Sequence, residues 1–122
     1  MRLRTALMWT VKPGTEEAVK ELFRSYGPPE MIVRDGNGNE IGRMLSALVF
    51  MKDNVVVRVV DADVTDIAML TEHLRKQPAI RELEAKLEQY LEVPRDMSTP
   101  EGAQEFFRRA GMELLVARSY EE

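Results

Sequence analysis

The stretch IGRMLSALVFMKDNVVVRVV, residues 41–60, decides the fold of this chain. Ile41–Met51 and Val55–Val60 are rich in β-branched and other apolar residues, a composition that is typical of strands. Between them, Asp53 and Asn54 readily form a tight turn. The stretch therefore predicts an antiparallel β-hairpin at the centre of a sheet.

Both faces of this predicted hairpin are apolar. In the second strand, Val55, Val57 and Val59 point to one side, while Val56 and Val60 point to the other with Arg58 between them. In the first strand, the same alternation sets Leu45, Ala47, Val49 and Met51 against Met44, Leu48 and Phe50. An antiparallel sheet with one solvated face should instead alternate apolar and polar residues.

The second apolar face needs a cover, because large exposed apolar patches usually mark an interface or a ligand groove. Helices can cover one face of the sheet. We expect a second copy of the chain to cover the other, which gives a homodimer with a cavity between the paired sheets. The alternative is a monomer whose last helices fold back over the second face.

The rest of the chain predicts the order β-α-β-β-α-α-α-β. The expected elements are a strand at Leu3–Val11, a helix after Thr15, a short strand at Met31–Arg34, the hairpin, a helix from Asp63 or Thr65, a helix from Pro78, a helix from Thr99 and a final strand at Met112–Arg118. This order predicts a single domain, residues 1–122, of the α+β class. The expected architecture is a ferredoxin-like antiparallel sheet with helices on one face.

The third predicted helix and the link after it form the stretch QPAIRELEAKLEQYLEVPRD, residues 77–96. The apolar residues expected to face inward at helical spacing are Ile80, Leu83, Leu87, Tyr90 and Leu91. The charged residues expected to face water are Arg81, Glu82, Glu84, Lys86 and Glu88. The link Val93–Asp96 is stiffened by Pro94, and we expect it to edge the mouth of the cavity.

Composition excludes several classes of function. The 122 residues include no cysteine, which excludes a disulfide framework and a thiolate metal site and agrees with a cytoplasmic location. The net charge of −4, with acids and bases mixed, argues against nucleic acid or an anionic membrane as the main partner. No apolar run approaches the length of a membrane span, and the N-terminal residues resemble mature protein rather than a signal peptide.

The glycine-rich segment GNGNEIG, residues 36–42, is close to a dinucleotide-binding fingerprint but does not fit it. In that fingerprint the glycines open a helix whose N-terminus holds the pyrophosphate, whereas here they lead into a strand. Asp-Gly and Asn-Gly readily supply the positive φ angles of a hairpin turn. The segment therefore predicts a hairpin, and no cofactor is expected.

Three side chains are candidates for catalysis. Arg58 lies among valines, so its guanidinium group must find an anion or reach water. It could stabilise a ligand enolate, or it could pair with Asp61, Asp63 or an acid on a neighbouring strand. Arg43 has the same two interpretations, with a surface ion pair favoured. His73, the single histidine, could move a proton, although its charged neighbours favour a surface position.

Trp9, Met44 and Phe50 are candidate ligand contacts. A tryptophan on the first strand can form a flat wall for an aromatic ligand, and thioethers adapt to irregular planar molecules. Core packing is the alternative for these side chains. The nearby acids Asp61, Asp63 and Asp66 are explained as turn and cap residues, so no metal site is expected.

Four stretches together resemble the SchA/CurD-like domain family. They are VKPGTEEAVKELF, residues 11–23; RDGNGNEIGRML, residues 34–45; VVVRVVD, residues 55–61; and QPAIRELEAKLEQYLEVPRDMSTPEGAQEFFRRAGM, residues 77–112. The last stretch is the most specific, and the resemblance covers nearly the whole chain. More distantly, the chain is similar to the tetracenomycin-type polyketide cyclases, which implies a dimeric α/β barrel.

The resemblance implies a role beside type II polyketide synthases that make spore pigments and aromatic antibiotics. It implies an accessory protein, expected to be a cyclase that binds a poly-ketone or polycyclic phenol. Two alternatives stay open, a cofactor-independent monooxygenase acting on an anthrone-like intermediate and a non-catalytic scaffold that binds polyketide synthase components. The resemblance assigns no catalytic residue.

Overall fold

The computed structural model describes residues 2–118 and residue 120 of the chain. The strands are β1 (Arg2–Thr10), β2 (Ile32–Arg34), β3 (Glu40–Lys52) and β4 (Val55–Asp63). The helices are α1 (Glu16–Ser25), α2 (Ile67–Lys76), α3 (Pro78–Leu87) and α4 (Pro100–Ala110), with a short 3-10 helix at Glu88–Tyr90.

The strands form one antiparallel sheet in the order β1-β4-β3-β2. The predicted central hairpin is β3–β4, in which Phe50 lies opposite Val57. On the other side of β4, Val57 lies opposite Met8 of β1. The prediction of an α+β fold with a ferredoxin-like antiparallel sheet is confirmed.

The helices lie on one face of the sheet, as predicted. Trp9 and Val56 of the sheet share one core cluster with Leu87 of α3 and Phe106 of α4. A second cluster joins Val60 and Ala62 of β4 to Leu70 of α2. Because α4 also packs on this face, the alternative in which the last helices cover the second face is wrong for the described residues.

The opposite face of the sheet, here called the outer face, is apolar, as the valine pattern predicts. Met8, Leu48 and Phe50 are exposed there, and Phe50 is 58% exposed. Val57 and Val59 lie between them on β4. None of the described helices covers this face.

A bulge at Leu45 changes the predicted alternation in β3. The register between β3 and β4 shifts between Met44 and Ser46, so two residues of β3 span one step of β4. Met44 is consequently buried on the helix face, and Leu45 is exposed. The expectation that Met44 shares a face with Leu48 and Phe50 is therefore wrong.

The predicted final strand is also wrong for the described residues. Residues 112–118 form no strand, and Gly111 forms only an isolated bridge with Leu7. Met112 N donates to Ala6 O at 2.8 Å, after which regular pairing stops. Three consecutive apolar residues follow at 114–116, all exposed, including Leu115 at 81%. Among the described residues, no side chain buries this run, so its register against β1 is weakly specified beyond Met112.

The helix starts differ slightly from prediction. Asp66, rather than Asp63 or Thr65, caps α2 by accepting from Met69 N, because β4 continues through Asp63. Thr99 caps α4 as predicted, accepting from Gly102 N at 3.0 Å. Pro78 begins α3, also as predicted.

The glycine-rich segment is a hairpin turn, as predicted. Asp35 Oδ1 accepts hydrogen bonds from Asn37 N and Asn39 N, and Gly38 has a φ of +83°. These backbone hydrogen bonds hold the pKa of Asp35 below its ordinary value. The turn joins β2 to β3 and does not open a helix.

Candidate functional site

A cavity of about 840 Å³ lies between the helix-covered face of the sheet and the helices. β1 and β4 form its floor, α2 and α3 one wall, and residues 95–98 with α4 the other. Gly111, Met112 and Leu114 also line it. This cavity lies within one chain, and the cavity expected between two paired sheets stays a prediction.

Aromatic side chains form part of the cavity lining. Trp9 and Phe106 are in edge-to-face contact with ring centroids 5.9 Å apart, and Phe107 lies 5.8 Å from Phe106. Trp9 Nε1 is buried and has no hydrogen-bond partner among the described residues. A planar apolar ligand would find aromatic contacts along this wall.

Four charged side chains lie together on the cavity wall. Glu84 of α3 accepts from Arg58 Nη1 at 3.1 Å and also pairs with Arg95 Nη2. Arg95 Nε donates in turn to Glu88 at 3.1 Å. The side chains of Arg58 and Glu84 are only 12% and 15% exposed. Two cations and two anions therefore form a neutral, largely buried network beside the apolar lining, here called the charged cluster.

Arg95 is the most deeply buried member of the charged cluster, with a side chain only 2% exposed. Its guanidinium carbon lies 4.4 Å from the centroid of the Phe106 ring, which adds a cation–π contact. The local backbone supports this position: Asp96 Oδ1 accepts from Ser98 N, and the Asp96 carbonyl lies close to Gly102 in the first turn of α4. The link after α3 thus places a charged group in the cavity wall.

Both arginines of the charged cluster keep unused donors. Within the described part of the chain, Arg58 hydrogen-bonds only through Nη1, and Arg95 uses Nε and Nη2. A guanidinium group has five N–H donors. Arg58 Nε and Nη2 and Arg95 Nη1 therefore have no hydrogen-bond partner among the described residues.

The structure brings two of the six predicted site residues to the cavity. Arg58 and Trp9 both line it. Arg58 pairs with Glu84 on a helix, rather than with the strand acids considered from the sequence. Met44 lies in the second core cluster, and Phe50 lies on the outer face.

Arg43 and His73 lie away from the cavity. Arg43 forms an exposed ion pair with Glu40 at 2.8 Å. His73 Nε2 lies 2.7 Å from both Glu30 O and Gln77 Nε2, so it belongs to a structural network. Gln77 Oε1 also accepts from Glu30 N at 2.6 Å, which ties the link after α1 to α2.

Sequence reasoning missed Glu84, Glu88 and Arg95. The expectation that Glu84 faces water is wrong, because it lies under the link that carries Arg95. Glu84 and Glu88 are four residues apart and hence share a helix face, a spacing that was visible in the sequence. Arg58 is 26 positions from Glu84 in sequence, and Arg95 lies in the link after α3. Residue spacing therefore did not identify either of them as a partner.

The described residues contain no group of three or more histidine, cysteine, aspartate or glutamate side chains that could hold a metal ion. None of the helices in that part of the chain is long and apolar enough to cross a membrane.

The chain is similar in sequence to one protein family and to three curated proteins. The model of a family described as SchA/CurD like domain matches residues 2–120. Polyketide synthase CurD of Streptomyces cyaneus is 38% identical over 117 residues, which cover 94% of this chain and 30% of that protein. The 42.8 kDa protein in the whiE locus of Streptomyces coelicolor is 36% identical, over 97% of this chain and 28% of that protein.

Protein SchA of Streptomyces halstedii is 31% identical over 90% of this chain and 27% of that protein. The chain thus spans less than a third of the length of these three relatives. Among solved structures, tetracenomycin F2 cyclase of Streptomyces glaucescens, a type-II polyketide cyclase, aligns with a TM-score of 0.54 at 17% identity. The alignment covers 96% of this chain and 97% of that one, so the two share a fold.

Proposed function

Because the chain belongs to the SchA/CurD-like domain family, we propose that it acts in aromatic polyketide biosynthesis as a cyclase. It would bind a poly-ketone or a polycyclic phenol in the cavity. There it would hold the folded chain for ring closure by aldol condensation. The fold shared with a type-II polyketide cyclase supports this reaction class.

The observation that carries the proposal is the cavity with unused arginine donors on its wall. Its volume of about 840 Å³ lies in the range of small-molecule sites. Its lining combines the aromatic pair Trp9–Phe106 with the guanidinium groups of Arg58 and Arg95. A poly-ketone offers this site apolar carbon and several carbonyl oxygens, so both kinds of lining would have a partner.

The arginines would act on the charge that develops during ring closure. Aldol condensation passes through an enolate, whose negative oxygen is stabilised by donors fixed in advance in a water-poor site. Glu84 holds Arg58 and Arg95 by one carboxylate oxygen each, so the donors need no reorganisation. Confinement of the flexible chain lowers the barrier further, because the reacting carbons are held close together.

We also propose that the chain works as a homodimer. The outer face exposes Met8, Leu48 and Phe50 over β-strands that no described helix covers. A second copy packed face to face would remove these side chains from water. Sedimentation at micromolar concentration tests this, and a species of 14.0 kDa alone would contradict it.

Product analysis tests the cyclase. A minimal aromatic polyketide synthase would be supplied with the wild-type chain, with Arg58→Lys, or with Arg43→Gln as the surface control. We expect the wild type and the control to shift the product mixture toward one cyclised product and Arg58→Lys to reduce that shift, because an ammonium group cannot reproduce the planar donor geometry. An unchanged mixture with the wild-type chain would contradict the proposal.

The same experiment separates the two alternatives. Oxygen consumption without added flavin or metal, together with an oxidised product, would indicate a monooxygenase. Full product formation by a folded Arg58→Ala variant, with co-purification of synthase components, would indicate a scaffold. Either result would exclude cyclisation that depends on the arginine donors.

A further inference from the structure

Within the proposed function, we propose that Glu88 is the catalytic base that removes the proton from the ligand carbon. Of the carboxylates in the charged cluster, only that of Glu88 has an oxygen atom without a partner among the described residues. An aldol condensation needs such a base as well as a group that stabilises the enolate oxygen. Arg58 and Arg95 fill only the second of these roles.

Three carboxylates line the cavity, and their hydrogen bonds differ. Glu84 uses both oxygens, one for Arg58 Nη1 and one for Arg95 Nη2. Asp96 Oδ1 accepts from the hydroxyl group and the backbone N–H of Ser98, which hold the pKa of Asp96 below its ordinary value and weaken it as a base. Glu88 uses only Oε1, for Arg95 Nε, and Oε2 has no partner among the described residues.

The position of Glu88 fits the role. It follows the last turn of α3, four residues after Glu84, so the two carboxylates lie on the same side of the helix. Arg95 donates to both, so the Glu88 carboxylate lies next to a guanidinium group that is expected to bind the enolate. The Glu88 side chain is partly exposed, whereas that of Arg95 is almost fully buried. A carboxylate that remains accessible can exchange its proton after each turnover.

The proton and electron balance of the step is complete without a further reactant. Glu88 Oε2 takes a proton from the methylene carbon between two carbonyl groups, and the C–H electron pair moves to one carbonyl oxygen. Arg58 and Arg95 donate to the resulting enolate. The enolate carbon then attacks a second carbonyl, a C–C bond forms, and the protonated Glu88 returns the proton to the new alkoxide.

The test uses benzoylacetone, a simple β-diketone, and measures two quantities. Binding is followed by the fluorescence of Trp9, the single tryptophan, which lines the cavity. Catalysis is followed as deuterium incorporation at the methylene carbon in deuterium oxide, by mass spectrometry after rapid quenching. We expect the wild type to bind the probe and to accelerate exchange. General-base catalysis of this kind contributes roughly 100-fold or more, and Glu88→Gln should lose it while still binding.

Glutamine keeps an oxygen that accepts from Arg95 Nε, so Glu88→Gln removes the base and one negative charge while it retains that hydrogen bond. Glu82→Gln is the matched control, because Glu82 lies on the outer side of α3 in an exposed pair with Lys86. If Glu88→Gln does not fold, Glu88→Asp replaces it and should slow exchange by withdrawing the carboxylate.

The outcomes separate this inference from the proposed function. Normal binding with exchange as fast in Glu88→Gln as in the wild type would overturn the role of Glu88 and leave the ligand site intact. Normal binding without any acceleration by the wild type would also overturn it. Failure of the wild type to bind the probe would count against the β-diketone site itself, and so against the proposed function.

Discussion

Arg58 on β4 and Glu84 on α3 form an ion pair of 3.1 Å that joins the sheet to the helix layer across the cavity wall. The residues are 26 positions apart in sequence. Glu84 also pairs with Arg95 from the link after α3, so one carboxylate connects three parts of the fold. A buried ion pair of this kind contributes little net stability when intact, but its disruption leaves an uncompensated charge.

Glu84→Gln is therefore expected to destabilise the protein by roughly 3 kcal/mol, since both Arg58 and Arg95 lose a charged partner in a poorly solvated site. Urea unfolding measures the change as a lower midpoint with an unchanged slope. Glu82→Gln, which removes an exposed partner of Lys86 on the same helix, should leave the midpoint unchanged. Equal effects of the two substitutions would contradict the assigned burial of the charged cluster.

Gly102→Ala should disturb the link that carries Arg95. A Cβ atom at residue 102 would overlap the backbone carbonyl of Asp96, which cannot move without shifting the link. Forced overpacking of this kind costs roughly 2 kcal/mol. Gly36→Ala is the control, because a Cβ there meets no atom within 4 Å. Thermal unfolding compares the two, and a fully stable Gly102→Ala protein would show that the contact is not as close as described.

Phe50→Lys should dissociate the proposed homodimer without unfolding the chain. The Phe50 side chain is exposed on the outer face, so a lysine there can remain hydrated in a monomer but would be buried between two paired sheets. Analytical ultracentrifugation should show a shift from dimer to monomer. Val93→Lys alters another exposed apolar residue, in the link after α3, and should leave the association state unchanged.

Asp61 makes the stability of the fold depend on pH in the acid range. Arg2 donates to both of its carboxylate oxygens, at 3.0 and 2.6 Å, and these hydrogen bonds hold the pKa of Asp61 below its ordinary value. The folded state therefore binds this proton less readily than the unfolded state. The resulting stabilisation is present above the ordinary carboxylate pKa and is lost as the pH falls through the lowered one.

Asp61→Asn should accordingly lower the free energy of unfolding near neutral pH. It should have less effect in strong acid, because Asp61 of the wild type is already protonated there. Urea midpoints measured from neutral to acid pH test this. Arg2→Gln should produce the same loss, and the double variant should add little to it. A constant difference between wild type and Asp61→Asn at all pH values would exclude the linkage.

The sequence predicted the central hairpin, the fold class and the apolar outer face, because these follow from the local composition of the strands and from the regular change of side-chain direction along them. It assigned Met44 to the wrong face, because the extra residue at Leu45 reverses the side-chain direction of the residues before it. The apolar pattern of the sequence does not reveal such a bulge. It also predicted a final strand at Met112–Arg118. β-propensity alone favoured that strand, whereas the point at which pairing with β1 stops is a property of the folded chain.

Within the site, the sequence identified Arg58, because a charged side chain among valines must pair with an anion or reach water. Its true partner Glu84 was assigned to water, since a charged residue between apolar helix positions normally faces solvent. Arg95 could not be placed, because the path of a link depends on the packing of the elements that it joins. The sequence therefore identified one side of the charged cluster and missed the other.

The limited contact between Gly111 and Leu7 has a consequence for self-assembly. Along the N-terminal half of β1, no described strand lies beyond it, so this border of the sheet resembles a template on which fibrils could grow. Arg2 and Arg4 stand on that border. These charged side chains disfavour pairing between two such borders, because they would have to lose their water there, and this leaves the apolar outer face as the route by which copies can meet.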